Sequence, residues 1–69
     1  MEVQMETELM EVWSLEVHDV IYVSDETYLI LEILDNEDGG EYILNCQDDE
    51  GTIVSFITNG EEKFHLVLD

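Results

Sequence analysis

Five apolar blocks, each four to eight residues long and separated by polar turns, commit most of this chain to β-structure. They run Val20–Val23, Thr27–Leu34, Glu41–Cys46, Thr52–Thr58 and Lys63–Leu68. β-branched and aromatic residues dominate them, and Asp, Asn, Ser and Gly fill the gaps. In the fourth block Ile53, Ser55 and Ile57 alternate with Val54 and Phe56, the period of a strand with one buried face. No helical period appears after residue 14. Asn59-Gly60 supplies two residues suited to positive φ and predicts a two-residue type I′ hairpin turn between the last two strands. The fold class is all-β: a five-stranded antiparallel meander. A flat sheet of five short strands leaves exposed edges, so the meander is expected to curl into a small barrel.

Residues 1–14 form an N-terminal arm, and residues 15–69 the small β-barrel domain. Val3 and Met5 alternate with acids in the manner of a strand, whereas Met5, Leu9, Met10 and Trp13 also fit one helical face. The extended form, with its apolar residues docked on the barrel, is favoured. The block at Thr27–Leu34 carries apolar residues on both faces, Leu29, Leu31 and Ile33 on one and Tyr28, Ile30 and Leu34 on the other. Its outer face therefore calls for a cover, from the arm or from a second molecule.

The charge balance sets the functional question. Of 69 residues, 19 are Asp or Glu and one, Lys63, is basic, giving a formal net charge of −18. Small soluble domains do well with a magnitude of roughly 2–8, and self-repulsion at this density opposes compaction. The hydrophobic fraction of 45% is high enough to drive folding despite that charge. One lysine cannot neutralise a phosphate track, so direct nucleic-acid binding is excluded. A basic partner surface is the natural counterpart.

In a meander, alternate turns share an end. Asp25 and Glu26 are expected beside Asp48, Asp49 and Glu50 at one end. Asp35, Glu37 and Asp38 are expected with Glu61 and Glu62 at the other. Strands of this length set the two ends about 20 Å apart. Duplex DNA carries about twelve charges over that distance. The turn carboxylates, with Glu16, Asp19, Glu32 and Glu41, reach a comparable number. The candidate partner-binding residues are therefore Asp25, Glu26, Asp35, Glu37, Asp38, Asp48, Asp49 and Glu50. Trp13 joins them as an apolar anchor, because exposed ion pairs alone contribute little. Reversing Asp48, Asp49 and Glu50 to lysine is expected to weaken the complex without unfolding the barrel.

Other chemistries fit poorly. The segment Asp35-Asn36-Glu37-Asp38-Gly39-Gly40 invites an EF-hand reading, but position 5 would be Gly39 and position 12 Cys46. His18, His65 and Cys46 are too scattered for a transition-metal site. No nucleophile lies in a motif that would activate it, and exposed acids in turns lack the cleft of a glycosidase. No cofactor, metal or catalytic residue is assigned, and the chain does not read as an enzyme. Cys46 is the only cysteine, which excludes an internal disulfide and suits a reducing compartment. The start of the chain lacks the features of a secretory signal. No apolar run approaches a membrane span. A cytoplasmic location is the expectation.

The run Leu15-Glu16-Val17-His18-Asp19-Val20-Ile21-Tyr22-Val23 resembles the opening "hydrophobic-x-Val-Gly-Asp-x-Ile" strand of SH3-like small barrels. Glu26-Thr27-Tyr28-Leu29-Ile30-Leu31-Glu32-Ile33 is similar to their second strand, and Gln47-Asp48-Asp49-Glu50-Gly51 to their distal acidic turn. Small acidic bacteriophage proteins often look like this. His18 stands where that pattern has Gly. The resemblance, over residues 15–68, implies the barrel but no function. Joined to the charge, it suggests a phage-type inhibitor that mimics nucleic acid. Its target would be the basic surface of a host DNA-, RNA- or nucleotide-binding protein, in restriction, CRISPR defence, DNA repair or transcription. The alternative is a structural or assembly barrel acting through oligomerisation. A homodimer is compatible with either.

Overall fold

The computed structural model describes residues 6–36 and 40–68. Among these residues six strands make one antiparallel sheet: β1 (Thr7–Glu11), β2 (Val20–Val23), β3 (Glu26–Asn36), β4 (Glu41–Gln47), β5 (Ile53–Asn59) and β6 (Lys63–Val67). Their spatial order is β1-β6-β2-β3-β4-β5. The all-β, antiparallel expectation holds. The strand count and the connectivity differ from a five-stranded meander.

The sixth strand comes from the arm. Thr7 to Glu11 pair with Val67 to Lys63 in unbroken register. A short 3-10 turn, Val12–Ser14, then buries Val12 and leads to buried Leu15. The strand alternative for the arm is thus the one adopted from Thr7 onward, while Val3 and Met5 lie outside the described residues.

The last connection is not a hairpin. β6 leaves β5 and pairs instead with β1 on one side and β2 on the other, with Ile21 opposite Leu66 and Tyr22 opposite His65. Asn59 and Gly60 both lack the positive φ a type I′ turn requires. The Asn59 side chain accepts from the Glu61 N–H at 2.9 Å, and the Asn59 carbonyl accepts from the Glu62 N–H at 3.3 Å. That Asx-type turn sends the chain away from its neighbour. The type I′ geometry occurs at Ser24-Asp25, with φ of 51° and 70°, in the two-residue link that sets Val23 opposite Glu26.

The sheet curls without closing: among the described residues no ladder joins β1 to β5. The Phe56 ring on β5 meets Phe64 of β6 at 6.3 Å and Tyr28 of β3 at 5.0 Å, both edge to face. The inner faces of strands far apart in the ladder therefore pack on each other. Ile21, Ile30, Leu44, Val12 and Cys46 form the fully enclosed centre. This is a thin core, as a chain of this length dictates.

A bulge explains the two-faced apolar block. Pairing along β3 shifts between Ile30 and Glu32, so Leu31 is the extra residue. Before the bulge Ile30 opposes core Cys46, and after it Ile33 opposes core Leu44. Ile30 and Ile33 both reach the core, which corrects their assignment to opposite faces. Leu31 and Leu34 remain exposed.

Two further positions stand out. In the turn Glu16–Asp19, His18 has φ of 81°, the residue in the glycine-favouring position of a type II turn. The Asp19 carboxylate accepts from the Glu16 N–H at 2.8 Å and holds the turn closed. His18→Gly is expected to raise stability by about 0.5–1 kcal/mol, the relief of left-handed strain less glycine's extra unfolded-state freedom. Thermal melting checks this: the expected rise is about 4 °C, and a fall would contradict it. Cys46 is a free thiol with no exposed surface, and burial pushes its pKa up. A neutral, enclosed thiol does not attack reagents. Labelling by an aromatic disulfide should be at least about a hundredfold slower in the folded chain than in denaturant, because it waits for unfolding of a domain stable by several kcal/mol.

Candidate functional site

The turn joining β2 to β3 and the turn joining β4 to β5 meet at one end of the sheet. β3 pairs with β2 through its first four residues and with β4 from Leu29 onward, so its N-terminal end carries both turns. Between them lies an open cleft of about 410 Å³ lined by Tyr22, Asp25, Glu26, Thr27, Asp48, Asp49 and Glu50. Five of these seven residues are acids, and all five were singled out from sequence as one group.

Four of the five carboxylates are anchored, and that of Glu50 is free among the described residues. Tyr22 donates its hydroxyl to Asp25 Oδ1 at 3.0 Å, and Tyr28 donates to Glu26 Oε2 at 2.9 Å. Thr27 donates to Asp49 Oδ1 at 3.4 Å, linking the two turns. Asp48 is half-buried and turned inward on its own loop. Its Oδ1 accepts from the N–H groups of Glu50 at 2.9 Å and Thr52 at 2.8 Å. The Asp48 N–H donates to the Thr52 carbonyl at 3.0 Å, and Gly51 takes φ of 86° to close the loop. Asp48 is a positioning residue, whereas Asp49 and Glu50 project into solvent. In the sequence both tyrosines stand simply within apolar strand blocks. Their role here has no sequence signature beyond lying three residues before Asp25 and two after Glu26.

Both tyrosine pKa values are raised, first by the hydrogen bond to the neighbouring carboxylate, then by partial desolvation and by the negative charge nearby. The phenol form is the one the fold favours. The stabilisation is therefore fully present below the ordinary value of 10.0 and is lost as pH rises through the raised folded values. Ultraviolet titration of the folded chain should show Tyr22 and Tyr28 ionising later than in denaturant. Coincident titration curves would contradict the two hydrogen bonds.

At the opposite end two turns also meet. The Gly60 N–H donates to the Gly40 carbonyl at 3.3 Å, tying the β5–β6 turn to the start of β4. Asp35, Glu41, Glu61 and Glu62 are exposed there, while Glu37 and Asp38 lie outside the described residues. The Val12 N–H donates to the Glu62 carbonyl at 3.2 Å, which brings the 3-10 turn to this end. Trp13 follows Val12 and is 60% exposed. It does not line the cleft and does not cover the core, whose end is sealed by Val12 and Leu15 instead. Lys63, the one basic residue, sits opposite Glu11 across the β1–β6 ladder and is not among the cleft residues.

Among the described residues no group of three His, Cys, Asp or Glu side chains is arranged to hold a metal ion. No described helix is long and apolar enough to cross a membrane. No protein-family model, curated protein or solved structure matches this chain.

Proposed function

We propose that the chain is an acidic binding module that occupies the basic surface of a nucleic-acid- or nucleotide-binding protein and blocks it. The observation that carries this reading is the cleft: two turns distant in sequence bring five carboxylates together, with no lysine or arginine in its lining. Ordinary surfaces intersperse the two signs. Hydrogen bonds from Tyr22, Tyr28 and Thr27 limit the freedom of Asp25, Glu26 and Asp49, so less ordering entropy is lost on docking. A cationic groove built for phosphates would meet oxygen anions at set positions and release counterions as it does with DNA. Asp25, Glu26, Asp49 and Glu50 make the contacts, and Asp48 shapes the loop. Asp35 and Trp13 serve a second contact at the far end.

A curled sheet whose last strand returns beside β2, with an acidic turn between β4 and β5, fits the SH3-like small-barrel type of acidic phage proteins. A phage-encoded inhibitor acting in the host cytoplasm, non-enzymatic and without cofactor, is the corresponding biology.

Affinity capture from bacterial lysate tests the function. The captured protein should elute with salt and be displaced by duplex DNA or RNA. A captured protein indifferent to both would count against mimicry. The rival, an assembly piece working through oligomerisation, predicts a fixed higher oligomer by solution mass measurement, where a blocker gives a monomer or dimer.

A further inference from the structure

The two edges of the sheet are built differently. β1, one edge, carries Glu8 and Glu11, the charged residues that discourage a strand from adding there. β5, the other edge, carries none. It lies within Gly51–Gly60, ten residues without an Asp, Glu, Lys or Arg, the longest such stretch in the chain. It is seven residues long, has neither proline nor glycine, and among the described residues pairs on one side only, with β4. Its outward side chains include Ile53, 56% exposed, and Ile57, 68% exposed. Ile57 extends an apolar row across the outer face through Ile43 to Leu34, its successive cross-strand partners. In a chain this acidic, a bare edge of this length is the place prepared for an incoming strand.

Charge decides what that strand is. The edge is bounded by Asp49 and Glu50 before β5 and by Glu61 and Glu62 after it. A second copy added antiparallel about Phe56 would set Glu50 of one chain against Glu62 of the other, with Asp49 against Lys63 one step further out, and would bring together two chains each of net charge −18. A parallel copy would set Glu50 against Glu50. Like charges directly opposed destabilise a strand pair. We infer that β5 receives an extended segment of a basic partner protein, with an alternating apolar centre of about seven residues and Lys or Arg flanking it on both sides. The centre continues the β4–β5 ladder and covers Ile53 and Ile57, while the flanks meet the two acidic ends. This rests on the proposed function only for the basic character of the partner. It adds a backbone-directed contact that the carboxylate cleft does not supply.

The test uses a synthetic peptide of seven alternating valine and threonine residues, flanked on each side by three lysines. Amide hydrogen exchange of the full chain is followed by NMR. In the free chain the alternate β5 amides that face away from β4 should exchange fast. The peptide should slow them by at least about tenfold. A peptide with the same charge but with proline in place of the central threonines should give no such protection, because it cannot donate to the ladder. Ile57→Lys, an exposed outward position, should weaken the alternating peptide about tenfold while leaving the fold intact. Equal binding of both peptides without β5 protection would overturn the edge assignment and leave the acidic-surface reading standing. Binding of neither would overturn both. Concentration-dependent protection of β5 in the absence of peptide would show that a second copy is the occupant, and would also overturn the inference.

Discussion

Replacing Asp49 and Glu50 together by lysine is expected to cut affinity for a basic partner by ten- to a hundredfold at low salt, on the order of 1–3 kcal/mol. Both residues are exposed, and neither carboxylate holds the backbone of its own loop. Four units of charge change at the mouth of the cleft while the loop's internal bonds remain. The thermal midpoint should therefore hold or rise, since the substitutions also relieve self-repulsion in a chain of net charge −18. Binding by titration calorimetry and melting by circular dichroism separate the two effects. Unchanged affinity in a folded double variant would remove Asp49 and Glu50 from the interface.

Asp48→Ala should do the opposite: damage the fold first and binding as a consequence. It deletes a carboxylate oxygen that accepts two backbone N–H groups, and hydrogen bonds to charged acceptors contribute about 1.5–3 kcal/mol. In a domain of this size a loss of about 2–3 kcal/mol lowers the melting temperature by about 10–20 °C. Asp48→Asn keeps the Oδ1 acceptor and should recover most of the stability. If alanine and asparagine melt alike and near the parent, the loop is held by something other than this side chain. For the same reason the triple lysine reversal at Asp48, Asp49 and Glu50, expected from sequence to spare the fold, is expected to destabilise it through Asp48.

Local pattern made the sheet legible and long-range pairing did not. Strand positions follow from blocks of β-branched residues between turn formers, and β2 is bounded at Val20 and Val23 as the sequence implies. The convergence of Asp25 and Glu26 with Asp48, Asp49 and Glu50 follows from the meander β2–β4, which needs only short turns. The partner of β6 did not follow. Asn59-Gly60 is a strong hairpin signal, yet the Asn59 side chain can instead cap the Glu61 N–H, and Phe64 is drawn across to Phe56 on the inner face. Core packing overrode a dipeptide preference. The bulge at Leu31 was illegible for a related reason: one unpaired residue inverts the apolar alternation, and a period of two read straight through it assigns Ile33 to the wrong face. His18 is the converse case. The resemblance marked its position as one for glycine, and its φ of 81° shows why.

Salt is expected to act on the fold and on the proposed complex with opposite signs. Screening weakens repulsion among the acids, so the free chain should melt higher as ionic strength rises. The same screening should weaken docking on a basic groove steeply. The decisive measurement is the dissociation constant of the captured complex from 50 to 500 mM salt, with and without competing duplex DNA. Carboxylates standing in for phosphates predict a loss of at least about a hundredfold across that range, together with displacement by the duplex. A dissociation constant that is flat in salt and untouched by the duplex would contradict it.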